Sequence, residues 1–130
     1  MVSLCFSCGK CCVATEMMLS EQDIRVILDH TEHLKSKNEF TSINPEGRYQ
    51  LKNLDGYCFF FNPNTKKCKI YDFRPQGCRF YPLVYDPIRK RCIYDQECPH
   101  PKHIYQNLIH RKSMCNSLKK FLRTQLNIKF

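Results

Sequence analysis

The residues with the most chemistry to offer are ten cysteines in a chain of 130. The first four form Cys5-x-x-Cys8-x-x-Cys11-Cys12. Cys58, Cys68 and Cys78 follow at nine-residue gaps, then Cys92, Cys98-Pro99 and Cys115. Two-residue gaps let a tight turn aim successive sulfurs at one point, with backbone N–H groups free to donate to them. Gly9 inside that loop permits a left-handed backbone. The chemistry this pattern offers is thiolate ligation of a soft or borderline metal.

The spacing bears on the metal. Mononuclear zinc sites commonly use two separated C-x2–4-C pairs. Bacterial-type ferredoxins use C-x2-C-x2-C with a further Cys followed by Pro. Cys5, Cys8 and Cys11 reproduce the triplet, and Cys98-Pro99 supplies a distant Cys-Pro, so an iron–sulfur cluster is favoured over zinc. Adjacent side chains diverge, so Cys11 and Cys12 do not readily bind one ion together. Cys12 with Cys58, Cys68 and Cys78 could complete a second four-sulfur site. The expected ligands are therefore Cys5, Cys8, Cys11, Cys12, Cys58, Cys68, Cys78 and Cys98. Cys92 lies in a hairpin strand and reads as structural. Cys115 fits an apolar helical stripe and reads as a buried free thiol. His100 and His103 flank Cys98, but loop histidines are more often solvated. A disulfide framework for the whole set is disfavoured by a reducing compartment.

Composition frames this reading. The chain has no Trp, and its 42% hydrophobic fraction includes the cysteines, so a metal staple would help a thin aliphatic core. The start, Met1-Val2-Ser3-Leu4-Cys5, lacks a charged region followed by an apolar run, so no signal peptide is expected. No stretch approaches the roughly 18 apolar residues of a membrane helix. The expected compartment is the cytoplasm. The net charge of +9 is uneven: residues 1–99 hold 14 Lys/Arg against 12 Asp/Glu, whereas residues 100–130 hold seven Lys/Arg and no acid.

The elements that must position the cysteines are short. Ser20 followed by Glu21 and Asp23 marks a helix start, and Ile24, Ile27, Leu28 and Leu34 extend a stripe, predicting a helix over 21–35. Residues 16–19 suggest a short strand. Strands are predicted over 48–52, 57–61 and 67–71, with turns at 44–47, 55–56 and 62–65. Pro75 suits the first turn of a short helix ending near residue 78. Residues 80–85 and 92–94 form a hairpin about Asp86-Pro87. From 102 to 126 the apolar residues Ile104, Leu108, Met114, Cys115, Leu118, Leu122 and Leu126 make a helical stripe that Arg111 interrupts, with Lys112, Lys119, Lys120 and Arg123 opposite. The aromatic run from Tyr57 to Tyr85 reads as core packing around the metal rather than a base-stacking platform. Arg74 and Arg79 read as donors to thiolates or to a nearby Asp. The sum is a small single α+β domain: short antiparallel strands and loops around a Cys-rich metal centre, with an N-terminal helix and a long C-terminal one. Residues 1–99 form the cysteine-cluster domain, and residues 100–130 a basic helix packed on it.

CFSCGKCC at 5–12, LSEQDI at 19–24, GYCFFFNPNTKKCKIYDFRPQGCRFYP at 56–82 and ECP at 97–99 together resemble the CxxCxxCC zinc- or iron-chelating family, the YkgJ-type cysteine-cluster proteins. The resemblance implies the same eight ligand cysteines and leaves the metal as zinc or iron. It implies no assigned reaction, although related domains in flagellin lysine N-methylases give an enzymatic lead. No Gly-rich strand-to-helix turn accompanies it. Three functions stand open: metal binding for electron transfer or metal and cluster handling, a cluster-dependent protein-lysine methyltransferase-like enzyme or subunit, and a nucleic-acid-binding module using the basic C-terminal helix.

Overall fold

The computed structural model describes residues 15–95 and 108–130. Cys5, Cys8, Cys11, Cys12, Cys98, His100 and His103 lie outside the described residues.

Helix α1 (Glu21–His30) starts where the sequence predicts. Ser20 Oγ accepts from the Asp23 N–H at 3.1 Å, and Asp23 Oδ2 accepts from the Ser20 N–H at 3.0 Å. This reciprocal capping box satisfies two orphan donors. The helix stops five residues before the predicted end. Thr31 is extended at φ −129° and ψ 99°, and its hydroxyl donates back to the Ile27 carbonyl. Leu34 is buried all the same, through a turn in which its N–H donates to Thr31 O. The apolar spacing was therefore met by a turn and not by a third helical turn. His30 stays on the helix surface and stacks on Phe73 with centroids 4.9 Å apart.

Four antiparallel pairs follow: β1 (Thr41–Ile43) with β2 (Tyr49–Leu51), β3 (Asn53–Leu54) with β4 (Tyr57–Cys58), β5 (Phe61–Asn62) with β6 (Lys67–Cys68), and β7 (Leu83–Asp86) with β8 (Arg91–Tyr94). Three of the four turns share one device. Asn44, Asn62 and Asp86 each precede a proline, and each side-chain oxygen accepts from backbone N–H groups two and three or four residues on. Each such loop ends on a residue with positive φ: Gly47 at 83°, Lys66 at 57° and Lys90 at 56°. The side chain thus replaces a backbone acceptor, proline presets the next φ, and the left-handed residue reverses the chain. The fourth turn, Asp55-Gly56, has positive φ at both positions, as a two-residue type I′ hairpin demands.

Several predicted strands are redrawn. The single strand over 57–61 is two: Cys58 pairs with Asn53, and Phe61 pairs with Cys68. The strand beginning at 80 begins instead at Leu83, because Phe80 closes helix α2 (Gln76–Phe80), which runs past its predicted end. The strand over 16–19 reduces to one bridge, Met18 to Gln50. Helix α3 (Leu108–Thr124) occupies the described part of the basic C-terminal segment.

The core divides into two clusters. One gathers Leu19, Ile24, Ile27, Leu34, Phe40, Leu51, Phe60, Phe61 and Ile70 between α1 and the first three hairpins. The other packs Leu118, Phe121 and Leu126 of α3 on Phe80, Leu83 and Cys92. The aromatic run is core, as expected: Phe40 meets Phe60 at 5.5 Å and Phe80 meets Phe121 at 5.9 Å. Among the described residues, no helix is long and apolar enough to cross a membrane.

A one-turn 3-10 helix (Lys37–Glu39) repeats the capping box on a small scale. The Ser36 and Lys35 N–H groups donate to the Glu39 carboxylate and hold its pKa below the ordinary value near 4.5. A depressed folded pKa contributes stability above the unfolded value that is lost as pH falls through the folded one. Glu39→Gln is expected to lower stability at neutral pH, where the carboxylate's contribution is fully present, and to flatten the stability–pH curve in that acid range so that variant and wild type converge there, read by urea titration at stepped pH.

Candidate metal-binding site

Three candidate ligands fall within the described residues, and all three belong to the first core cluster. Cys58, at the end of β4, is 5% exposed and part of that core. Cys68, at the end of β6, and Cys78, within α2, are half-buried and pack against it. The reason each arrives there is local. The Asp55-Gly56 turn folds Cys58 back onto Asn53, the Asn62 turn folds Cys68 back onto Phe61, and Pro75 opens the helix that carries Cys78.

Two side-chain networks hold this frame. Asn53, the cross-strand partner of Cys58, grips Thr15 from both sides: its Oδ1 accepts from the Thr15 N–H at 3.0 Å, and its Nδ2 donates to the Thr15 carbonyl at 2.9 Å. Thr15 is 7% exposed. The buried Asp23 carboxylate does the same for α2. Its Oδ1 accepts from the Gln76 N–H at 3.1 Å and from Gln76 Nε2 at 3.0 Å. Gln76 in turn exchanges hydrogen bonds with Gln125 at 2.7 and 3.2 Å. One carboxylate therefore caps α1, fixes the first residue of α2 two positions before Cys78, and connects both to the end of α3. The sequence marks Asp23 only as an acid in a first turn, and its spacing from Ser20 is the local signal of the capping box.

Thiolate is the right donor for zinc or iron, and three thiols sit along one core cluster. Among the described residues, no group of three or more His, Cys, Asp or Glu is gathered so as to hold a metal ion. Cys58, Cys68 and Cys78 therefore make no metal site by themselves among the described residues. Arg74, expected to donate to thiolates or to a nearby Asp, donates among the described residues to the Tyr71 carbonyl at 2.8 Å and lies over the Tyr71 ring.

Cys92 and Cys115 belong elsewhere. They form a disulfide joining β8 to α3, with Cα atoms 6.0 Å apart, in the second cluster. Cys92 is structural as expected, but Cys115 is no free thiol. A sequence gap of 23 residues gave no sign of the pairing; it required knowing that α3 lies on the β7–β8 hairpin. Arg111 does not merely interrupt the stripe. Its guanidinium covers the Tyr94 ring at 4.6 Å and donates to the Cys92 carbonyl at 3.3 Å.

Beside this second cluster lies a cavity of about 580 Å³, walled by Met17, Leu83, Tyr85, Phe121 and Phe130 among others, with Glu16, Asp95 and Lys129 at its polar positions. Gly77 forms part of its wall, where a Cβ would run into Met17 Sδ.

The Thr15 clamp makes a prediction. Asn53→Ala leaves two buried backbone groups of Thr15 unpaired, at about 1–3 kcal/mol each if water cannot replace the amide. A lower urea midpoint is expected, together with weaker metal retention against a chelator. An unchanged midpoint and unchanged retention would show that the clamp holds nothing.

A family model described as "CxxCxxCC: Putative zinc- or iron-chelating domain" matches residues 4–116. The chain is also 36% identical over 84 residues to an uncharacterized protein of Methanocaldococcus jannaschii, a match that covers 60% of this chain and 43% of that relative. The chain therefore spans under half the length of the relative it matches. No solved structure matches.

Proposed function

From a chain that belongs to the CxxCxxCC zinc- or iron-chelating family, we propose a protein whose function rests on metal held by Cys5, Cys8, Cys11, Cys12, Cys58, Cys68, Cys78 and Cys98. The observation that carries this reading is the pinning of Thr15 to Asn53, directly across from Cys58. Thr15 follows Cys12 by three positions in the chain, a span of at most about 11 Å. Thr15 thus ties the start of the segment that follows the N-terminal motif to the hairpin that carries Cys58. The two-residue gaps of Cys5, Cys8 and Cys11 favour an iron–sulfur centre over zinc. Such a centre would supply one-electron chemistry; zinc would supply folding energy and no redox chemistry. The roles that follow are electron transfer or the handling of metal or clusters. A methyltransferase-like activity has only family analogy behind it and comes second.

Iron, zinc and acid-labile sulfide, measured with the visible spectrum on anaerobically purified protein, test the reading. Iron with matching sulfide and a bleachable chromophore supports an iron–sulfur centre. Tightly held zinc in a colourless protein replaces it with a structural site. Protein that holds neither metal overturns it.

A second reading concerns partners. Helix α3 contains no acidic residue and exposes Lys112, Lys120 and Arg123. Such a face would bind phosphates by releasing counterions, so RNA affinity should fall steeply with salt and fall further in Lys112→Glu/Lys120→Glu. No binding of a single-stranded RNA oligomer at low salt would dismiss it.

A further inference from the structure

We propose that Cys92–Cys115 is a thiol–disulfide site: a redox-controlled clip that fastens the first two turns of α3 to the β7–β8 hairpin and is opened by a dithiol reductant. The two ends of α3 are held in different ways. Its C-terminal half is anchored without the disulfide. Leu118 and Phe121 are 5% and 4% exposed in the second core cluster, and just past the helix Gln125 pairs with Gln76 and the Leu126 carbonyl accepts from Arg48 Nε at 2.9 Å. Its N-terminal half exposes Ile109, His110, Lys112 and Ser113. The contacts that bind this half to the hairpin and its core include the disulfide, Arg111 and the partly buried Met114. Opening the disulfide removes the covalent link at residue 115 while the anchorage of residues 118–126 stays, so its consequence is local, a loosening of residues 108–115, and not global.

The two sulfurs differ in the way exchange chemistry uses. Cys92 is 6% exposed, whereas Cys115 is only half-buried, so an incoming thiolate reaches Cys115 Sγ first. That attack forms a mixed disulfide on Cys115, and the electron pair of the broken S–S bond goes to Cys92 Sγ. Cys92 leaves as a thiolate and then takes a proton from water; the Arg111 cation, held on the Cys92 carbonyl at 3.3 Å, adds positive charge at that residue. The second thiol of the reductant attacks its own bound sulfur and expels Cys115 as a thiolate, which is protonated in turn. The protein disulfide gains two electrons and two protons, and the dithiol becomes a disulfide.

The test is amide hydrogen exchange on the full chain, as oxidised wild type, as wild type reduced with a dithiol, and as Cys92→Ala/Cys115→Ala. Expected are roughly tenfold faster exchange over 108–115 in the reduced protein and in the double variant, no change over 118–124, and alkylation of both cysteines only after reduction. Metal content is measured on the same samples and is expected to be equal in wild type and variant, so the contrast is readable whatever metal the protein holds. Identical exchange in all three forms overturns the proposal. So does loosening that spreads through 118–124, which would make the bond a general staple, and so does alkylation of both cysteines in unreduced protein.

Discussion

Cys58→Ser is expected to leave the protein with about half or less of its wild-type metal and to lower its stability by several kcal/mol. Apparent binding energies for structural zinc sites run to about 10–16 kcal/mol near neutral pH, and that energy is folding energy where the site does not preexist in the unfolded chain. Burying a hydroxyl in place of a thiol at a site only 5% exposed lowers stability by itself, so the metal content, which packing does not set, separates the two causes. Cys68→Ser and Cys78→Ser should behave alike, because both residues pack against the same core cluster. Cys92→Ser supplies the contrast: it sits in the other cluster, bonded to Cys115, and should keep its metal. Metal analysis of purified variants, paired with urea denaturation, reads both effects. Equal metal loss in Cys58→Ser and Cys92→Ser would mean that the cysteines are not divided in this way.

Asp23→Ala is expected to cost about 2–4 kcal/mol, more than an ordinary helix cap. The carboxylate is 5% exposed and accepts from the Ser20 N–H, the Gln76 N–H and Gln76 Nε2. Its removal strips a cap from α1 and leaves the Gln76 groups short of acceptors in a protein interior. Asp23→Asn should cost less than Ala, because one amide oxygen can still face Gln76 while the amide nitrogen opposes the Ser20 N–H. Since Gln76 begins the helix that carries Cys78, the Ala variant should also release metal at a lower chelator concentration. Denaturation midpoints and a chelator titration measure the two effects, and an Asn variant as damaged as Ala would argue against the geometry.

The features legible in the sequence were those set by local chemistry. Ser20 with Asp23 announced the start of α1, Asp55-Gly56 announced a tight hairpin, and Asn62-Pro63 and Asp86-Pro87 announced two of the loops. Each depends on atoms within a few residues. The illegible features depended on tertiary placement. Leu34 fits a helical period, yet its burial comes from a turn after Thr31. Phe59 interrupts two strands that read as one, and its N–H donates to Lys52 O. No local signal distinguishes Cys115 in an apolar stripe from a free buried thiol, and none shows Gln76 meeting Asp23 from 53 residues away. The division of cysteines into a family motif and a separate pair was half visible. The motif spacing set eight apart, and only the packing of α3 on the hairpin explains the remaining two.

X-ray absorption at the edge of the bound metal tests most directly whether clustered cysteine sulfurs hold it. Expected is a first shell of sulfur alone, at about 2.3 Å for zinc or iron thiolate, losing amplitude in Cys58→Ser and unchanged in Cys92→Ser. A first shell of nitrogen or oxygen, or a sulfur shell indifferent to Cys58, would contradict it.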